Sequence, residues 1–170
     1  MIQLTETEDI FETVSSVFIG DSDLASKYHY VSPSSCKTTE CAEFTTQYIL
    51  SSIPKKAVFY SVTSNNNKIG YCCIDDTQLW DMGLSESFRN NNDITPVWNA
   101  ISEKIGGSFL IRLYENNYRD INWLIKKKIA VPLSIEHLPN NIWHWHGIRD
   151  KKEPHSYYIP LSQILLKFNK

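Results

Sequence analysis

The chain has 170 residues, 42% of them hydrophobic and 21% charged, enough for one domain with a real core. A net charge of −2 leaves no basic surplus to favour nucleic acid and no acidic tail, and no apolar run is long enough to span a membrane. The start, MIQLTETED, has neither the basic nor the apolar region of a signal peptide, so a soluble intracellular protein is expected.

In chain order, Ile2 to Leu4 reads as a short strand. Thr7 is a candidate cap for a helix whose Ile10, Phe11, Val14, Val17 and Phe18 share a face. A turn-rich stretch from Gly20 to Lys37 precedes a second helix near Thr39, which buries Cys41, Phe44, Tyr48 and Ile49. In KAVFYSVTSNNNKIGYCCID two β-rich runs flank Asn65, Asn66 and Asn67, residues that tolerate the left-handed angles of a hairpin turn. Cys72 and Cys73 are adjacent on a strand and must face opposite sides, which suits reduced thiols rather than a disulfide framework. A Cys41 or Cys73 nucleophile paired with a histidine is conceivable but lacks any further signal. Asp75, Asp76 and Asp81 flank a strand end and read as turn caps or as bases.

LWDMGL is the next strand, and Thr95 with Pro96 opens a third helix with Val97, Trp98, Ile101 and Ile105 inward, stopped by Gly106-Gly107. SFLIRLY is too continuously apolar for a surface strand and is placed centrally. Asn117 caps a fourth helix that buries Ile121, Leu124 and Ile125, and Lys126 to Lys128 are its solvated end. The second basic run, Arg149 to Lys152, reads as a loop. IAVPLSI is a strand in which Pro132 demands an unpaired side or a bulge. IWHWHGI is a strand near an edge, with Trp143 and Trp145 on one face and His144 and His146 on the other. Two histidines so spaced could ligate a metal, but the pattern reads as an exposed or interfacial strand, and no metal is expected. LSQILLKF is a short helix or docked tail. The division expected is one domain over 1–155 and a tail over 156–170, docked on the domain or on a partner.

The hairpin, LWDMGLSESFR, the third helix, FLIRLYENN and NNYRDINWLIKKKIA resemble, in that order, the GNAT (Gcn5-related N-acetyltransferase) superfamily from about Ala57 to Val131. The resemblance implies an α/β fold with a mixed, mostly antiparallel central sheet and flanking helices. It also implies that strands four and five splay apart after Met82 and around Leu113. In that family a Q/R-x-x-G-x-G/A loop presents backbone N–H groups to the pyrophosphate of acetyl-CoA. Here Arg89 keeps the first position, Asn92 and Ile94 stand at the small-residue positions, and Pro96 removes a further N–H. Each charge-assisted hydrogen bond so lost costs about 1–3 kcal/mol of binding. Near the fourth helix Asn117 matches the family pattern, but Leu124 stands where a tyrosine often protonates the leaving thiolate, and Lys128 and Ile129 replace a closing Gly-Phe. The loop is a damaged cradle on an intact scaffold. ENNYRDINWLIKKKIAV followed by PNNIWHWHGI is further similar to GNAT-like internal virion and head–tail proteins of short-tailed bacteriophages.

Two readings follow. In the first, a catalytically silent structural protein of a virion, made in the host cytoplasm, binds portal, tail or internal proteins or copies of itself, with no cofactor. Its contact residues would be Trp143, His144, Trp145, His146, Tyr157, Tyr158, Leu165 and Phe168. Deleting 156–170 would then abolish assembly and leave a folded monomer. In the second, an active acyl-CoA-dependent N-acyltransferase binds acetyl-CoA or CoA through Arg89, the backbone of Asn90, Asn91, Asn92 and Asp93, and Asn117. Asp81 or Glu86 would be its base, and Tyr114 or Tyr118 its acid.

Overall fold

The computed structural model describes residues 1–18, 42–43, 46–47, 49–51, 53–114, 118–137 and 162–168. The strands are β1 (Ile2–Glu6), β2 (Val58–Ser64), β3 (Asn67–Ile74), β4 (Gln78–Leu84), β5 (Leu110–Tyr114), β6 (Ala130–His137) and β7 (Ser162–Phe168). The helices are α1 (Ile10–Phe18), α2 (Glu86–Asn91), α3 (Thr95–Ile105) and α4 (Tyr118–Lys126), with further helical residues at 42–43, 46–47 and 49–51. The strands form one sheet in the order β1-β2-β3-β4-β5-β7-β6, and every neighbouring pair is antiparallel except β4 and β5. This is the mixed, mostly antiparallel α/β sheet that the sequence implies.

Local chemistry explains the meander of β1 to β4. Asn65 and Asn66 both take positive φ, 49° and 67°, as a two-residue hairpin turn with the right twist requires. The cap of α1 is Asp9 rather than Thr7. Its Oδ1 accepts from Glu12 N–H at 3.1 Å, while the Thr7 hydroxyl accepts from Asp9 N–H. Thr95 is likewise the first helical residue of α3 and not its cap, and the carboxylate that serves it is Asp93.

The sheet has an apolar cluster on each face. On one, Val62, Cys72, Ile74, Leu79 and Leu84 meet Val97, Trp98 and Ile101 of α3, Ile121 and Leu124 of α4, and Leu166 and Phe168 of β7. On the other, Phe59, Tyr71 and Cys73 meet Val14 and Val17 of α1 together with Ala42 and Ile49. Cys72 and Cys73 therefore do point to opposite faces. Both are free, and burial is the main force pushing their thiols up, Cys73 to about 12, which removes any nucleophilic role for it. Phe11 and Ile125, expected inside, are 45% and 39% exposed.

The largest departure from the sequence reading is β7. Residues 162–168, expected as a short helix or a docked tail, are a strand inserted between β5 and β6. Phe168 is 3% exposed, stacks on Phe109 at 4.7 Å between ring centres and belongs to the core, so it cannot be an interface residue. The Leu165 backbone pairs with Arg112 and Ser134. Trp143, His144, Trp145, His146, Tyr157 and Tyr158 lie outside the described residues. β6 lies at one edge of the sheet and β1 at the other, and the β6 register shifts between Pro132 and Ser134, where proline requires it.

α4 closes in a Schellman motif: Ile129 N–H donates to Leu124 C=O, Lys128 N–H to Ile125 C=O, and Lys128 has φ 57°. A lysine thus occupies a left-handed position that favours glycine. Lys128→Gly should raise stability by about 0.5–1 kcal/mol, read as a higher urea midpoint at unchanged slope.

Candidate functional site

β4 and β5 pair only at Gln78–Leu110 and Leu79–Ile111, after which the two strands part. The splay that the sequence resemblance implies is present and opens three residues before Met82. β5 continues alongside β7 instead, through Tyr114. Parallel strands that separate in mid-sheet leave a gap whose walls carry backbone donors and acceptors.

At the upper end of β4 the segment expected to be an extended loop is a helix. Phe88 and Arg89 N–H groups both donate to Ser85 C=O, which starts α2 directly after the strand. One helical turn carries Arg89 back over the strand end, and its Nε donates to Leu84 C=O at 3.0 Å. The Asn91 and Asn92 side-chain amides donate to the Ser87 and Phe88 carbonyls, so both side chains fold onto α2. Asp93 lies at the N-terminus of α3. Its Oδ1 accepts from Thr95 N–H at 3.0 Å and from Thr95 Oγ1 at 2.7 Å. The hydroxyl and then the amide of Thr95 hold that carboxyl below the usual carboxylate range. A negative group of the chain itself thus sits where the α3 dipole favours an anion. Glu86 is half-buried at the start of α2. Asn90 is exposed on the same helix.

Asp81 is on the opposite face of the sheet, beside Cys73 and Tyr71. The Tyr71 ring lies across Gly83, where a Cβ would fall 2.5 Å from Cε1, and this close seat brings its hydroxyl to Asp81 Oδ2 at 3.2 Å. Asp81 Oδ1 accepts from Met82 N–H at 2.9 Å. The residue is half-buried. That burial raises its pKa to about 6, against the opposing hydrogen bonds from Tyr71 and Met82.

A raised folded pKa means that the native state holds a proton between about pH 4 and 6 when the unfolded chain does not. Stability is present below that window and falls as pH rises through it. Asp81→Asn should abolish this fall and stabilise the protein at pH 7 by about 2–3 kcal/mol. Urea melts from pH 4 to 8 check it, and a wild-type slope of zero would contradict the assignment.

Asp75 and Asp76, also candidate bases, do other work. Asp75 is buried and organises the β3–β4 turn, whereas Asp76 is exposed there and contacts Lys56 at 3.5 Å. Tyr114 ends β5 and Tyr118 opens α4, but their side chains, and Asn117 altogether, lie outside the described residues. Leu124, at the position of the family tyrosine, is fully buried in the core. Among the described residues no three His, Cys, Asp or Glu side chains come together as a metal site, and no helix is long and apolar enough to cross a membrane. Sequence reading missed the Asp81–Tyr71 pair. Its only signal was the register, in which Tyr71 faces Gly83 two residues beyond Asp81.

Comparison of the whole chain with solved structures decides the fold. The microcin C7 self-immunity acetyltransferase MccE, solved with acetyl-CoA and AMP, superposes with a TM-score of 0.61 at 11% identity, over 99% of this chain and 92% of that one. This chain has the GNAT fold. A GCN5-related N-acetyltransferase from Rhodopseudomonas palustris gives 0.60 at 8% identity over 100% and 95%. The ribosomal-protein-S18-alanine N-acetyltransferase of Escherichia coli gives 0.52 at 8% over 99% and 93%. No family model matches the sequence, and no curated protein matches it. The GNAT likeness is thus one of backbone, and the splayed β4 and β5 mark the cleft of that fold in this chain.

Proposed function

We propose that this GNAT-fold chain works without acetyl-CoA, as a structural and binding protein whose ligands are other proteins. The observation that carries the reading is the segment between β4 and α3. Acetyl-CoA is the group the fold implies, and these residues do not fit its pyrophosphate. The Phe88 and Arg89 amides of α2 are spent on the Ser85 carbonyl, Asn91 and Asn92 fold back, Pro96 offers no donor, and the Asp93 carboxylate already occupies the start of α3. A diphosphate placed there would meet a like charge and would have to unwind a helix. The bacteriophage setting rests on the likeness of ENNYRDINWLIKKKIAV and PNNIWHWHGI to internal virion and head–tail proteins, with portal, tail or internal proteins, or further copies of the chain, as partners.

Calorimetry with acetyl-CoA and CoA tests the reading, and no binding is expected up to about 1 mM. Micromolar binding that disappears in Arg89→Ala would overturn it. The particle setting requires the chain at fixed stoichiometry in purified virions, and quantitative mass spectrometry that fails to find it there removes that part.

A second reading has one observation in its favour. Asp81, with a pKa of about 6 beside the splay, has the properties of a general base, and it supports an N-acyltransferase with an atypical CoA site. Acetyl transfer to an amine that rises with pH through about 6 and is lost in Asp81→Asn would establish it.

A further inference from the structure

β4 leaves β5 after two residue pairs, so its later backbone groups on that side need other partners. The register with β3 identifies those groups. Ser85 N–H donates to Ile69 C=O, and the pairing continues as Gly70–Leu84, Tyr71–Gly83, Cys72–Met82 and Cys73–Asp81. Hydrogen-bonded and non-bonded pairs alternate in an antiparallel ladder. Gly83 and Asp81 therefore point their N–H and C=O groups at β3, whereas Met82 and Leu84 point theirs away, toward the gap. Two of these gap-facing groups are met by side chains of the same strand-and-helix unit. Asp81 Oδ1 accepts from Met82 N–H at 2.9 Å, and Arg89 Nε donates to Leu84 C=O at 3.0 Å.

We propose that Asp81 and Arg89 cap the open edge of β4 and close it to an amide-bearing ligand, so that the chain seals its own cleft. This rests on the reading that the protein does not use acetyl-CoA, and it explains a different part of the site from the pyrophosphate segment. The arm of acyl-CoA is a chain of secondary amides, and to lie along β4 it needs a backbone donor and acceptor there. In this chain both are held by ionisable side chains, whose hydrogen bonds are about twice as strong as those a neutral amide could offer. The Arg89 cap follows from local structure. Because α2 begins immediately after β4, a single turn returns residue 89 to the carbonyl of residue 84.

The test uses the full chain with pantetheine, which has the amides but no phosphate. In the wild type the Met82 amide should be protected from hydrogen exchange, and pantetheine at about 10 mM should shift no β4 resonance. In Asp81→Ala the Met82 amide should exchange about tenfold faster or more. Asp81→Asn keeps the acceptor and should keep the protection. In Asp81→Ala/Arg89→Ala, pantetheine should shift the Met82 and Leu84 amides. If the double variant does not fold, the two single variants carry the same test. Unchanged Met82 exchange in a folded Asp81→Ala, or pantetheine shifting Met82 and Leu84 in the wild type, overturns the proposal. Acetyl-CoA binding that depends on Arg89 while pantetheine stays unbound leaves the cap standing and overturns the cofactor-free reading instead.

Discussion

Truncation before Ser162 should leave no folded protein. β7 lies inside the sheet, hydrogen-bonded to β5 on one side and to β6 on the other, and among the described strands β6 pairs with no other. Removing it strips both ladders and takes out Leu166 and Phe168, which are fully and almost fully buried. Truncating either side chain to alanine should alone cost about 2–5 kcal/mol. A domain of this size is stable by about 5–15 kcal/mol, so losing both side chains and two ladders exceeds what it has. The expected result is loss of the cooperative urea transition and collapse of amide dispersion in NMR. Leu166→Ala should still fold, with a lower midpoint. The sequence-based expectation that deleting 156–170 gives an assembly-deficient but folded monomer is withdrawn on this ground. A cooperative transition in the truncated chain would show that β7 is dispensable after all.

Asp75→Ala should cost about 3–5 kcal/mol, the range for leaving several buried donors unpaired at once. Its carboxylate accepts from Thr77 N–H at 2.7 Å, Thr77 Oγ1 at 2.8 Å, Gln78 N–H at 2.9 Å and Trp80 Nε1 at 2.8 Å, and it meets Lys56 Nζ at 3.2 Å. The lysine is exposed and contributes little, so the loss comes from the turn amides and the indole. Burial pushes this carboxyl up, but the hydrogen bonds from Trp80 and Thr77, and then from Lys56, outweigh it and hold the group well below the usual range. A depressed folded pKa contributes stability that is complete above the unfolded value near 4 and is lost as pH falls below it. Stability measured from pH 6 down to 2 should therefore drop in the wild type and drop less steeply in Asp75→Asn, which keeps one acceptor. An identical acid limb in the two proteins would show that the turn does not depend on the charge.

The elements that sequence reading recovered are those with their own punctuation. Asn65-Asn66 fixes the hairpin, Pro96 and Gly106-Gly107 bound α3, and the proline in β6 forces the bulge that the register displays. β7 carried no such mark. Ile164, Leu165 and Leu166 form an unbroken apolar run, and Phe168 lies four residues after Ile164, a pattern that fits a helix face as well as a buried strand. Only the neighbouring strands decide between them, and neither is adjacent in sequence. The site shows the same division. That the glycine cradle is damaged can be read from Asn92 and Ile94, because backbone angles are a property of single residues. That Arg89 turns back on Leu84, and that Tyr71 reaches Asp81 over Gly83, depend on a helix start and on a register that the residues do not announce individually.

The sheet order also sets how the chain must fold. β2, β3 and β4 join through short turns and can pair as each strand follows the last, with β1 closing beside β2. β5 and β6 cannot complete their half until β7, the final strand in chain order, slips between them. Among the described residues, two residue pairs at the foot of the splay are the sheet pairing that couples the halves. The meander is thus a local, early nucleus, and the remainder is a late, high-contact-order step during which the β5 and β6 edges stay unpaired. A slow refolding phase carried by Phe109, Leu166 and Phe168, with aggregation of whatever stalls before it, follows from that arrangement.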